Sequence, residues 1–180
     1  VTVVRRVLFR SWQDIPAGTQ SFVFVCHDPY VPSVGENVNQ EGKAVAASLP
    51  RVDFYHWLLL GIPSSVSEIA AGSQSGAITP RGKPGPTAPH GLRHGVNDYT
   101  AWFAGDKDMS GKYFGYDGPC PPWNDELMHH YVFTVYALAN STLNVVGELN
   151  GANVLAAIGA AEVLGSAQIT GLYSLNPAVG

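Results

Sequence analysis

Three side chains in this 180-residue sequence combine a titratable group with an apolar setting: Asp28 after SFVFVCH, His56 within FYHWLLLGI, and His129 at the head of HHYVFTVYAL. A buried carboxylate or imidazole left without a partner costs several kcal/mol, of order 2–7 for a neutral polar group and more for a charge, so each needs company. Mutual pairing is the simplest supply, and it would bring the three together. An aspartate beside a histidine favours the imidazolium, which with tyrosine hydroxyls and backbone N–H groups suits a phosphate or a carboxylate. The plain alternative is that each residue is satisfied locally, in the core or in a loop. The same residue types also permit a second chemistry, a hydrolase in which Asp28, His56 and His129 hold a metal or act as general acid and base. Neither an activated nucleophile nor a metal-ligand spacing accompanies them, so the expectation is a binding protein without catalytic residues, cofactor or metal.

The two cysteines, Cys26 and Cys120, lack C-x-x-C spacing, and the sequence leaves open whether they pair. Cys120 has no evident electropositive neighbour to lower its pKa, so it reads as a structural thiol.

The elements that must position these groups are strands. Ser21 to His27, Phe54 to Ile62 and Tyr131 to Leu138 are rich in aromatic and β-branched residues and bounded by turn formers. Alternation places Phe24, Cys26 and Asp28 on one face of the first strand, and Phe54, His56 and Leu58 on one face of the second. It also separates the adjacent histidines of the third, so that His129 and Tyr131 share a face that His130 does not. Gly115 to Pro122 (GYDGPCPP) is a stiff turn cluster directly before His129, fit to wall a pocket or to serve only as a crossover. Gly151 to Gly165 switches to helical spacing and reads as one short amphipathic helix; Ala167 to Leu175 returns to strand, with Gly171 as a candidate bulge. The expected class is therefore mainly β, one domain over residues 1–180, with a late helix followed by a strand.

Two long polar connections, Pro29 to Pro50 and Gly72 to Gly95, separate the strands, and loops of that length are usually functional or mobile. Residues 79–94 carry Arg81, Lys83, Arg93, His90 and His94, which read as a basic lid or simply as a solvated loop. A formal net charge of −4 with 13% charged residues argues against a nucleic-acid surface, which needs clustered cations. No apolar run approaches the ~20 residues of a membrane span. The expected location is cytoplasmic, or periplasmic if a leader has been removed.

Three blocks in order resemble the phosphatidylethanolamine-binding, Raf-kinase-inhibitor-like family in its bacterial form: Asp28-Pro29-Tyr30-Val31-Pro32, His56-Trp57, and Gly118-Pro119-Cys120-Pro121-Pro122 followed by His129-His130-Tyr131-Val132-Phe133. Similarity runs from about Trp12 to the strand around Leu172. The resemblance implies a two-sheet antiparallel β-sandwich with a small anion pocket lined by Asp28, His56, Gly118, Pro119, Pro121, Pro122, His129 and Tyr131. It also implies a phosphate or phosphorylated headgroup as ligand, a protein partner such as a kinase, and a homodimer. Direct inhibition of a kinase or protease through the long loops is a third reading. Two departures stand out. Tyr30 replaces the family's second aspartate, which removes a negative charge and weakens the case for an amine-bearing headgroup, and His130 stands where arginine is usual.

Overall fold

The computed structural model describes residues 11–70, 72–74 and 78–179. Five strands form one antiparallel sheet in the order β3-β2-β1-β4-β5, comprising β1 (Ser21–Pro32), β2 (Arg51–Pro63), β3 (Arg93–His94), β4 (His129–Leu138) and β5 (Val163–Tyr173). The architecture is mainly β, as expected. The second sheet of a sandwich is not among the described strands. Among the described residues no helix is long and apolar enough to cross a membrane.

β1 is central because it is apolar on both sides, and its two faces seed two cores. Phe22, Phe24 and Cys26 pack with Trp57, Leu59, Phe133, Val135 and Ala137. On the other side Val23 and Val25 meet Leu58, Leu60 and Leu138, and the helix α2 (Gly151–Ala160) covers them with Val154 and Ile158. Near-continuous hydrophobic runs are what a strand buried on both faces requires. A third, smaller cluster of Val31, Phe54, Tyr99 and Tyr113 closes one end of the sheet, where the short helix α1 (Tyr99–Trp102) sits.

The late helix is shorter than its spacing suggested. Asn150 caps it by accepting from the Asn153 N–H at 3.0 Å, but it ends at Ala160, and Val163 and Leu164 already belong to β5. Pairing along β4, from Leu138 with Val163 to His129 with Tyr173, wins over local helical preference there, as tertiary context commonly does. Gly171 pairs in register with Tyr131, so it marks no bulge; the irregularity lies between Ala137 and Leu138.

Gly95, just past β3, is required by close approach. A Cβ there would stand 2.5 Å from the Leu149 carbonyl oxygen and 2.7 Å from the Leu58 Cβ, while its own N–H donates to Leu58 O at 2.9 Å. Backbone against backbone leaves little room to relax. Gly95→Ala is therefore expected to destabilise the fold by about 1–3 kcal/mol in urea denaturation, the usual range for overpacking; an unchanged midpoint would show that this junction yields.

Candidate functional site

β1 and β2 are out of step at the point that matters. Cys26 faces Trp57 and His27 faces Tyr55, so one step on β1 spans two on β2 and His56 is the extra residue of a β-bulge. The bulge resets the alternation. Phe54 and His56 turn toward the end of the sheet that carries Asp28, Trp57 and Leu59 join the core on that same face, and Leu58 points to the opposite core. The expected grouping of His56 with Leu58 is thereby corrected.

Asp28, from β1, and His129, from β4, are both almost fully buried, and His129 Nδ1 lies 2.5 Å from Asp28 Oδ2. The other ring nitrogen, Nε2, lies 3.1 Å from Oδ2 of Asp125. Asp125 in turn receives both terminal nitrogens of Arg51, at 2.6 and 2.9 Å, and the Leu127 N–H at 2.9 Å. The same two terminal nitrogens of Arg51 also donate to the carbonyls of Tyr30 and Ala46, and Asp28 also accepts the Tyr30 N–H at 2.8 Å. The result is a buried chain, Asp28–His129–Asp125–Arg51, of alternating sign.

Electrostatics follow from that chain. Burial alone would lower the His129 pKa, but hydrogen bonds and charge from Asp28, and then from Asp125, outweigh it and raise it above the ordinary imidazole value. Burial likewise opposes the charge of Asp125, yet the Arg51 hydrogen bonds prevail and hold its carboxyl below the usual range. His56 has no such help. Its burial pulls the pKa down to about 4, opposed only in part by Asp28. Among the described residues neither of its ring nitrogens has a hydrogen-bond partner. The three-way pairing expected of Asp28, His56 and His129 is thus a two-way pair plus a second aspartate, with His56 left over.

A cavity of about 140 Å³ opens beside these groups. Its polar floor is Asp28, His56, His129 and Tyr131, and Pro121 and Pro122 form part of its wall with Cys120. Of the eight residues expected to line a pocket, six do, and Cys120 joins them. Gly118 and Pro119 do not, although Gly118, at φ +90°, takes the left-handed turn that delivers the proline ledge. Residues 115–122 carry no regular strand or helix, in keeping with a stiff connection, and Asp117 anchors them through Lys83 at 2.9 Å and Asn97 at 3.0 Å. The basic loop is tied down in the same way: Lys83 is held by Asp117, Arg81 donates to the Lys107 carbonyl, and His94 accepts from the Trp57 indole N–H at 3.2 Å. Arg81, Lys83 and Arg93 are absent from the cavity wall, to which this connection contributes Ile78.

Cys26 and Cys120 are both free thiols. Burial, helped by Asp28, raises the Cys26 pKa well above its ordinary value, and burial raises that of Cys120, so neither is an activated nucleophile. Burial also raises the phenol pKa values of Tyr99 and Tyr131, which stay protonated and able to donate.

Asp125 and Arg51 were not singled out from the sequence. The only hint was a carboxylate four residues before His129, a spacing that brings side chains together on a helix and means nothing in an irregular segment. The two departures at 30 and 130 meet each other. The Tyr30 and His130 rings lie 4.5 Å apart, an aromatic contact between the two positions where the family has aspartate and arginine. Tyr30 is not a wall residue of the cavity, so its effect on a ligand is not direct.

The phosphatidylethanolamine-binding protein family pattern matches residues 10–174, and the chain belongs to that family. YbhB of Escherichia coli is 29% identical over 164 residues, covering 91% of this chain and 78% of YbhB. A relative from Aquifex aeolicus is 29% identical over 165 residues, covering 91% of this chain and 71% of its own length. Among solved structures, Escherichia coli YbcL, described as a member of the mammalian family, superposes with a TM-score of 0.59 at 26% identity, covering 91% of this chain and 77% of YbcL. A family homologue from Chlamydia trachomatis shares the fold at a TM-score of 0.58 and 22% identity, covering 91% of this chain and 78% of its own.

Arg51→Met leaves Asp125 with only His129 and the Leu127 N–H and is expected to cost about 3–5 kcal/mol by denaturant titration, as for other broken buried pairs; a loss under 1 kcal/mol would mean that the pair is solvated. The pH dependence has a definite sign. The folded pKa of His56, about 4, lies below its unfolded value, so the unfolded chain binds the extra proton and stability rises with pH from about 4 to 6.5. His56→Gln should flatten that slope, whereas the contribution of the raised His129 pKa, present at acidic pH and lost on the alkaline side, should persist in the variant.

Proposed function

We propose that the cavity binds a small anionic ligand, a phosphate, a phosphomonoester or another anionic headgroup, and that the protein is a binding or regulatory module, not an enzyme. The observation that carries this reading is His56: an imidazole 3% exposed, with both ring nitrogens unpartnered, facing a cavity whose other histidine is fully committed. A buried polar group without a partner in a native protein calls for an occupant, and an N–H donor calls for an acceptor. Tyr131, kept protonated, stands on the same floor as a second donor.

The charge of His129 is already balanced by two carboxylates, so its role is to hold the floor and to keep Asp28 from repelling an anion. Family membership supports a binding protein as the broader class. A kinase or other protein partner, contacted through the loaded pocket or the long loops, and a homodimer belong to the same proposal. The hydrolase alternative gains nothing from the geometry. Both nitrogens of His129 are engaged, and among the described residues no three His, Cys, Asp or Glu side chains are grouped as metal ligands.

Calorimetric titration with inorganic phosphate and phosphoethanolamine tests the reading. Saturable binding is expected, lost on His56→Ala with the fold retained, and weakening as pH rises through the pKa that His56 acquires beside the anion. Equal affinity in wild type and His56→Ala would remove His56 from the site, and a flat profile from pH 5 to 8 would show that no imidazolium is involved.

A further inference from the structure

The upper part of the same cavity has a different character from its floor. Phe54, Trp102, Phe103, Ile78 and Val38 supply its wall and mouth. The rings are ordered against one another: Phe54 packs edge-on to Tyr99 at 5.0 Å and to Trp102 at 6.3 Å, and Phe103 stacks on Tyr99 at 5.6 Å. Trp102 and Ile78 keep 37% and 44% of their surface exposed at the mouth, where an incoming apolar group would cover them.

Size and charge point the same way. A volume of about 140 Å³ is far more than one water occupies, and it approaches the roughly 150 Å³ of an apolar cavity able to hold benzene. Among the described residues no lysine or arginine lines the cavity, and the charges of Asp28 and His129 answer each other. The one counter-charge these groups can offer is the proton that His56 takes up beside an anion, which balances a singly charged ligand and leaves a doubly charged one in excess.

Resting on the anion reading of this cavity, we propose that its ligand is an amphiphilic monoanion, a phosphodiester or similar group carrying a ring, with the charged group at His56 and Tyr131 and the ring against Phe54 and Trp102. Trp102 is then a specificity-determining residue. It reads the apolar body of the ligand and leaves the anionic group to the floor.

The test uses three probes at pH 8 by calorimetry: methyl phenyl phosphate, dimethyl phosphate and inorganic phosphate, which is then mainly a dianion. Methyl phenyl phosphate is expected to bind about tenfold more tightly than dimethyl phosphate, a factor that partial ring burial and edge contacts supply. Trp102→Ala should remove most of that gap without weakening dimethyl phosphate, and dichroism would verify its fold. Equal affinity for the two diesters, or a gap untouched by Trp102→Ala, overturns the ring subsite while leaving the anion site standing. Tighter binding of inorganic phosphate overturns the preference for a single charge. No binding of any probe at pH 8 overturns this inference, and no binding at pH 5 as well overturns the anion reading with it.

Discussion

Arg51 pairing with Asp125, Asp125 with His129, and His129 with Asp28 is the interaction on which the site depends. Any one of these groups, buried alone, would be pushed toward neutrality or out to solvent. In sequence the signs alternate, so each charge is answered on the side where water has been removed. The chain ties the start of β2 to the segment before β4, and through Asp28 to the central strand. Asn176 closes the same corner from the tail by donating to the Asp125 carbonyl at 2.7 Å. The end of the sheet that holds the cavity is thus fixed by polar bonds, while its middle is fixed by the two apolar cores.

That arrangement explains how His56 remains unpaired among the described residues. Had His129 taken only one carboxylate, its second nitrogen would face the cavity as a competing donor. With both nitrogens bonded, and with His56 turned inward by the bulge opposite Cys26, the floor presents one free imidazole beside a neutralised pair. Proline residues 121 and 122 contribute wall without contributing backbone donors, which keeps polar contacts concentrated on the floor.

Much of this was legible in the sequence because strand periodicity and apolar runs are local signals. Three of the four long strands, the separation of His129 from His130, and the proline ledge before β4 could all be read that way. His130 indeed lies on the other side, against Tyr30. The bulge could not be read, because nothing local in FYHWLLLGI distinguishes an extra residue from a regular one, and it decides which side His56 faces. The Arg51–Asp125 pair was hidden for a different reason. Its members are 74 residues apart, in a strand end and an irregular turn, and only the folded chain brings them within 2.6 Å. The apolar upper wall comes from loops and the four-residue α1, whose placement no periodicity encodes.

The most direct test of the account is the protonation state of the two buried histidines, read from imidazole nitrogen chemical shifts across a pH series on the ligand-free protein. Because each nitrogen of His129 faces a carboxylate oxygen, the account predicts that at pH 7 both carry protons, while His56 is a neutral imidazole that becomes charged only near pH 4. A neutral His129 or a charged His56 at pH 7 would contradict it, because the balanced chain and the free donor would then have exchanged roles.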